Sequence, residues 1–165
     1  VLFRSLSRTI LMPRGIKMVL DSSGPGLREG LAKGGIHLVK PSLGELRQLV
    51  GQGLDTIEAI EAAALDIVRQ GKAEYVAVTM GREGAILAER SGALRLPAIA
   101  IEAKSAVGAG DSFLAAMVYA LASGRVATDA FRYGIAAGAA AVLSPGTNLC
   151  HKDDIERLYA LIARS

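Results

Sequence analysis

One stretch of this 165-residue chain gathers the residue types that phosphate chemistry needs: Ala106-Val107-Gly108-Ala109-Gly110-Asp111-Ser112-Phe113. A Gly-Ala-Gly turn delivers Asp111 into the first turn of an apolar helix read over 113–121. Small residues let a backbone approach a ligand closely. A helix start adds unpaired N–H groups and the positive end of the dipole. Together they make an anion site with a carboxylate inside it. An acid aimed where an anion binds makes chemical sense as a base. The pattern points to phosphoryl transfer onto a hydroxyl, with Asp111 taking the proton. The plainer alternative is that Asp111 merely caps the helix. A Walker A loop is excluded because no Gly-Lys-Ser/Thr follows, and Phe113 stands where a dinucleotide fingerprint needs its third glycine.

The elements that must carry this turn follow from the apolar pattern. Residues 16–20 form a short apolar run, read as a buried strand, and Asp21-Ser22-Ser23-Gly24-Pro25-Gly26 reads as a loop. A short helix over 27–33 closes at Gly34-Gly35, and 36–39 is a second buried strand stopped at Lys40-Pro41. Ser42 with Glu45 three residues on is a capping box, and Thr56 caps a helix running to Gln70. A third strand over 75–80 ends at Gly81-Arg82-Glu83-Gly84, and 85–88 with 93–96 reads as a hairpin. Helices over 113–123, 127–143 and 153–164 complete the chain, with Ser144-Pro145-Gly146-Thr147-Asn148 as a loop. Strands alternating with helices predict an α/β fold with a largely parallel sheet. In such sheets ligands collect beyond the carboxyl ends of strands. Lys40, Thr79-Met80-Gly81, Gly84 and the Gly108–Asp111 turn all fall there.

Composition narrows the function. The length suits one domain with a sizeable core. Hydrophobic content is 51%, much of it alanine, with mean hydropathy +0.35, yet no apolar run reaches a membrane span. Net charge is only +3 and aromatic content 4%, so neither a basic stripe nor a stacking platform for nucleic acid exists. The lone Cys150 excludes an internal disulfide and fits a reducing, cytoplasmic setting. His37, inside an apolar strand, reads as a satisfied core or edge histidine, and His151 as a surface one. Asp153-Asp154 reads as charge compensation at a helix start. Val1-Leu2-Phe3-Arg4-Ser5 lacks a starting methionine, and residues 1–14 are expected to be atypical or non-native.

Three blocks carry a resemblance: Val39-Lys40-Pro41-Ser42-x-x-Glu45-Leu46, Val78-Thr79-Met80-Gly81-x-x-Gly84 and Val107-Gly108-Ala109-Gly110-Asp111-Ser112. In this order they resemble the ribokinase-like (PfkB) family of sugar kinases, from about Gly15 onward. Asp21-Ser22-Ser23-Gly24, Glu45-Leu46 and Ala136-Ala137-Gly138 through Gly146-Thr147 look most like the branch acting on fructose 6-phosphate. The resemblance implies a ribokinase-like, doubly wound sheet flanked by helices, with residues 15–165 as its C-terminal, ATP-binding part. No match to the family's sugar-binding half or lid is found.

By position, Asp111 resembles the family's catalytic base, and the amides of Gly108, Ala109 and Gly110 its anion hole. Lys40 resembles the contact to ATP phosphates, though a lone lysine is more often solvated. Thr79, Met80, Gly81, Arg82, Glu83 and Gly84 resemble the loop beneath the nucleotide, and Ala139 falls beside the adenine pocket. Glu45 resembles the glutamate of an Asn-x-x-Glu element that organises Mg2+ through water. Ser42 replaces the asparagine, which weakens or lengthens that contact. Ser105, Val107, Ala141, Ser144, Gly146 and Asn148 resemble a monovalent-cation (K+) loop. The resemblance implies ATP and a sugar phosphate as partners and a homodimeric full-length protein. Tagatose 6-phosphate, fructose 1-phosphate or another sugar stays open as acceptor, as does a non-catalytic nucleotide-binding fragment.

Overall fold

The computed structural model describes residues 15–51, 53–102, 107–143 and 150–163. The chain divides into two compact units, Val1–Thr79 with Ile86–Leu94, and Met80–Ala85 with Arg95–Ser165. Elements run β1 (Val19–Leu20), α1 (Gly24–Lys33), β2 (Ile36–Val39), α2 (Leu43–Val50), α3 (Ile57–Arg69), β3 (Ala73–Thr79), β4 (Ala85–Glu89), β5 (Gly92–Leu96), α4 (Ala109–Ala122), α5 (Ala127–Leu143) and α6 (Lys152–Ile162). The five strands form one sheet in sequential order. β1 runs parallel to β2, with Leu20 opposite Val39, and β2 parallel to β3, with Leu38 opposite Tyr75. All four residues of β2 are buried, as a strand covered on both faces requires.

In the first unit the core gathers Leu27 and Leu31 of α1, Leu38, Val39 and Val76 of the sheet, Leu46 of α2 and Ile60, Ala64 and Ile67 of α3. The capping box forms as read: the Glu45 amide donates to Ser42 Oγ, and the Ser42 amide donates to Glu45 Oε2 at 2.7 Å. The Ala59 amide donates to Thr56 Oγ1, so that cap forms too. Three boundaries differ from the sequence reading. β1 begins only at Val19 rather than 16. α1 starts at Gly24, because Pro25 in its first turn is compatible with helix and costs no hydrogen bond. β3 starts at Ala73 rather than 75.

In the second unit α4 packs against α5, whose small residues are buried along most of its length. A Cβ on Gly138 would sit 3.2 Å from the Ala109 carbonyl oxygen, so glycine there admits the start of α4. Phe113 meets Phe131 edge to face at 5.9 Å. α6 closes on α5 through Leu158, against Ala136 and Ala140. At its rim Tyr133 donates to Glu156 at 3.0 Å, Tyr159 donates to Asp129, and the Arg125 guanidinium lies over both rings. Among the described residues, no helix is long and apolar enough to cross a membrane.

Candidate active site

In the first unit, the carboxyl ends of β1, β2 and β3 are drawn together by the backbone. The Lys40 amide donates to the Leu20 carbonyl at 3.3 Å, and the Thr79 amide to the Pro41 carbonyl at 3.0 Å. Ser42 and Thr79 pair as an isolated parallel bridge. Lys40 and Thr79 therefore stand at neighbouring strand ends, with the Ser42–Glu45 capping box beside them. Lys40 is only 7% exposed. A buried ammonium is costly unless paired, and Lys40 Nζ lies 3.3 Å from Asp21 Oδ1. This excludes a lysine that is merely solvated. Asp21 is the residue that sequence reasoning left out of the site. Its signal was available: an acid directly after one apolar strand, level with a lysine directly after the next.

In the second unit Gly108 takes the left-handed conformation, φ 76°, and α4 begins at Ala109. The helix thus starts four residues before the predicted 113. The left-handed glycine reverses the chain, and alanine and glycine behind it raise no steric barrier. The first backbone bond runs from the Ser112 amide to the Gly108 carbonyl at 2.9 Å. The amides of Ala109, Gly110 and Asp111 precede it and have no partner within the helix. Asp111 is exposed, and its carboxylate has neither a hydrogen bond nor an ion pair among the described residues. No such capping bond forms among the described residues, and Asp111 lies in the first turn of α4, at the positive end of the helix dipole.

Residues 80–84 form a tight loop in which the Met80 amide donates to the Gly84 carbonyl at 2.9 Å around a short turn, Gly81–Glu83. Gly84 has φ 94°, and a Cβ on it would collide with the carbonyl of Leu96 and the backbone of Pro97 and Ala98. Arg82 and Glu83 are exposed, whereas the Met80 side chain is buried, so only its backbone is available to a ligand. Ala139 is half-buried on α5. Of the cation-loop candidates, Val107 is exposed and Ala141 is buried near the end of α5, where the last carbonyls lack helical partners. Ser105, Ser144, Gly146 and Asn148, and the predicted loop 144–148, lie outside the described residues.

Two readings from sequence change. His37 is only half satisfied: Nδ1 meets Glu74 Oε2 at 2.6 Å, while Nε2 is buried with no partner among the described residues. Asp154 does more than compensate a dipole, pairing with Arg157 at 2.8 Å. His151 is exposed, as expected. Among the described residues no three His, Cys, Asp or Glu side chains gather around one point.

Comparison with known proteins places this arrangement. Residues 9–154 match the family described as pfkB family carbohydrate kinase. ATP-dependent 6-phosphofructokinase isozyme 2 of Escherichia coli (strain K12) is 40% identical over 151 residues, covering 92% of this chain and 49% of that protein. The 1-phosphofructokinase of Borreliella burgdorferi is 32% identical over 148 residues, covering 89% of this chain and 47% of that one. The crystal structure of phosphofructokinase-2 from Escherichia coli in complex with potassium matches with a TM-score of 0.89 at 39% identity, over 93% of this chain and 50% of that chain. The chain spans about half the length of the relatives it matches. The family match covers nearly the whole sequence and the fold match is as extensive, and the chain belongs to the pfkB family of carbohydrate kinases.

Proposed function

We propose that the protein containing this chain transfers the γ-phosphoryl group of ATP to a sugar phosphate, with fructose 6-phosphate as acceptor and fructose 1,6-bisphosphate as product. Residues 15–165 supply its ATP-binding part. The observation that carries the reading is the exposed Asp111 carboxylate in the first turn of α4, without a partner among the described residues. In this reaction the acceptor hydroxyl oxygen bonds to the γ-phosphorus as the bond from that phosphorus to the leaving oxygen of ADP breaks. Asp111 takes the hydroxyl proton. The amides of Gly108, Ala109 and Gly110 donate to the migrating phosphoryl oxygens. Lys40 holds ATP phosphate as a point charge, oriented by Asp21. Thr79 and the 80–84 loop support the nucleotide by backbone, and Ala139 borders the adenine.

Mg2+, when bound, neutralises charge on the phosphates. Glu45 fits a water-mediated contact to it, because Ser42 occupies Oε2 and leaves Oε1 without a partner among the described residues. The carbonyl of Ala141 and the segment around Val107 suit a monovalent cation such as K+. The chain spans about half the length of its relatives, which supports a second reading for the isolated chain: it binds nucleotide without turnover.

The test joins this chain in frame to the first half of the Escherichia coli isozyme 2 named above. ADP formation is measured with fructose 6-phosphate, tagatose 6-phosphate, fructose 1-phosphate and ribose. Turnover with fructose 6-phosphate well above the other three supports the proposal. A stable, nucleotide-binding fusion that phosphorylates none of them contradicts it.

A further inference from the structure

At the other end of β2 from Lys40, the first unit holds a cleft of about 740 Å³ at the amino ends of the parallel strands. That volume falls in the range of small-molecule sites. Lys17, Arg69 and Arg90 line it, and none of the three has an ion-pair or hydrogen-bond partner among the described residues. The one carboxylate in the lining, Glu74, is engaged by His37 Nδ1 at 2.6 Å. His37, also in the lining, is 8% exposed and stands edge-on to Tyr75. With Nδ1 committed to a carboxylate, its buried Nε2 is the atom left unsatisfied. A buried polar atom left without a bond is unfavourable. Ile16, Ile36 and Val68 supply an apolar wall beside the charges.

We propose that this cleft is a second ligand site, separate from the one that contains Lys40, and that it takes a small phosphorylated molecule with an apolar or weakly polar body. The phosphate meets Arg69, Arg90 and Lys17, where guanidinium groups give paired, charge-assisted bonds. The body covers the apolar wall and lies beside the His37 ring. Three cations against one hydrogen-bonded carboxylate set the preference for an anion. The apolar wall sets the preference for an organic phosphate over a bare inorganic ion.

The probe is phenyl phosphate, with inorganic phosphate and phenol as separate arms and chloride at matched ionic strength as control. The readout is NMR of the two histidine rings of the full chain, and exposed His151 serves as the internal reference. Saturable shifts of His37 alone, tighter for phenyl phosphate than for inorganic phosphate, are expected. Both exposed arginines can be replaced without touching the core, and R69E/R90E should weaken binding by about tenfold or more. MgATP binding by calorimetry should be unchanged in R69E/R90E, so failure here and failure of the kinase reading are distinguishable. Shifts that grow linearly, match those in chloride, follow phenol alone, or survive unchanged in a folded R69E/R90E protein would overturn the assignment.

Discussion

Lys40 and Asp111 are opposite charges in opposite circumstances. Lys40 is buried at the end of β2 and already paired with Asp21. Asp111 is exposed at the start of α4 and has no partner among the described residues. A group that holds a ligand benefits from being fixed before the ligand arrives, since the cost of ordering it is met in folding. A group that must accept a proton needs an open lone pair. Under the proposed function the difference is a division of labour: one side chain binds and the other reacts.

The largest effect that tests this division is on rate. In the fusion described above, Asp111→Asn should lower turnover by about 10²–10⁴-fold, the usual worth of a positioned base. A steady-state assay with fructose 6-phosphate decides it, and near-normal turnover would return Asp111 to a minor structural role.

Stability separates the same two sites next. Asp21→Ala leaves the Lys40 ammonium buried and unpaired, and should cost about 2 kcal/mol in urea unfolding, less than for a fully enclosed pair because Asp21 is half open to solvent. Asp111→Ala should shift the same curve by no more than about 0.5 kcal/mol, since only a helix-dipole interaction is lost. Equal losses would erase the contrast. Ser42→Ala removes one half of the capping box beside Lys40 and should cost about 1 kcal/mol by the same measurement.

A smaller effect belongs to α5 and α6. Burial and the bond to Glu156 raise the Tyr133 hydroxyl above its ordinary 10.0, and the bond to Asp129 with burial raises Tyr159. Each folded hydroxyl holds its proton more tightly than the unfolded one does. Stability is therefore full below pH 10 and declines as the pH climbs beyond it, because the unfolded chain ionises first. Thermal melts between pH 9 and pH 11 should show a steeper decline for the native chain than for Tyr133→Phe/Tyr159→Phe, and parallel curves would refute it.

Much of this was legible because it is local. The capping box needs only Ser42 and Glu45 at the right spacing, and strand ends at Lys40 and Thr79 follow from apolar runs meeting Pro41 and Gly81. The start of α4 was misplaced because Gly108, Ala109 and Gly110 carry no helix signal of their own; the left-handed turn at Gly108 decides it. The start of α1 was missed for a similar reason, with Pro25 read as punctuation when it occupies a first turn. Lys40's burial, its pairing with Asp21 and the unsatisfied Nε2 of His37 depend on which strands lie side by side. Only the Asp21 pairing has a trace along the chain, an acid and a lysine each directly after an apolar run; the burial and the unsatisfied Nε2 have none.

Calorimetry of the chain with MgATP tests the division of labour most directly, comparing native protein with Lys40→Met and Asp111→Asn. Native binding should be saturable, Lys40→Met should weaken it about 10–100-fold through loss of a charge-assisted contact, and Asp111→Asn should leave affinity unchanged or tighter. Equal weakening by both substitutions, or no saturable binding to the native chain, would contradict the account.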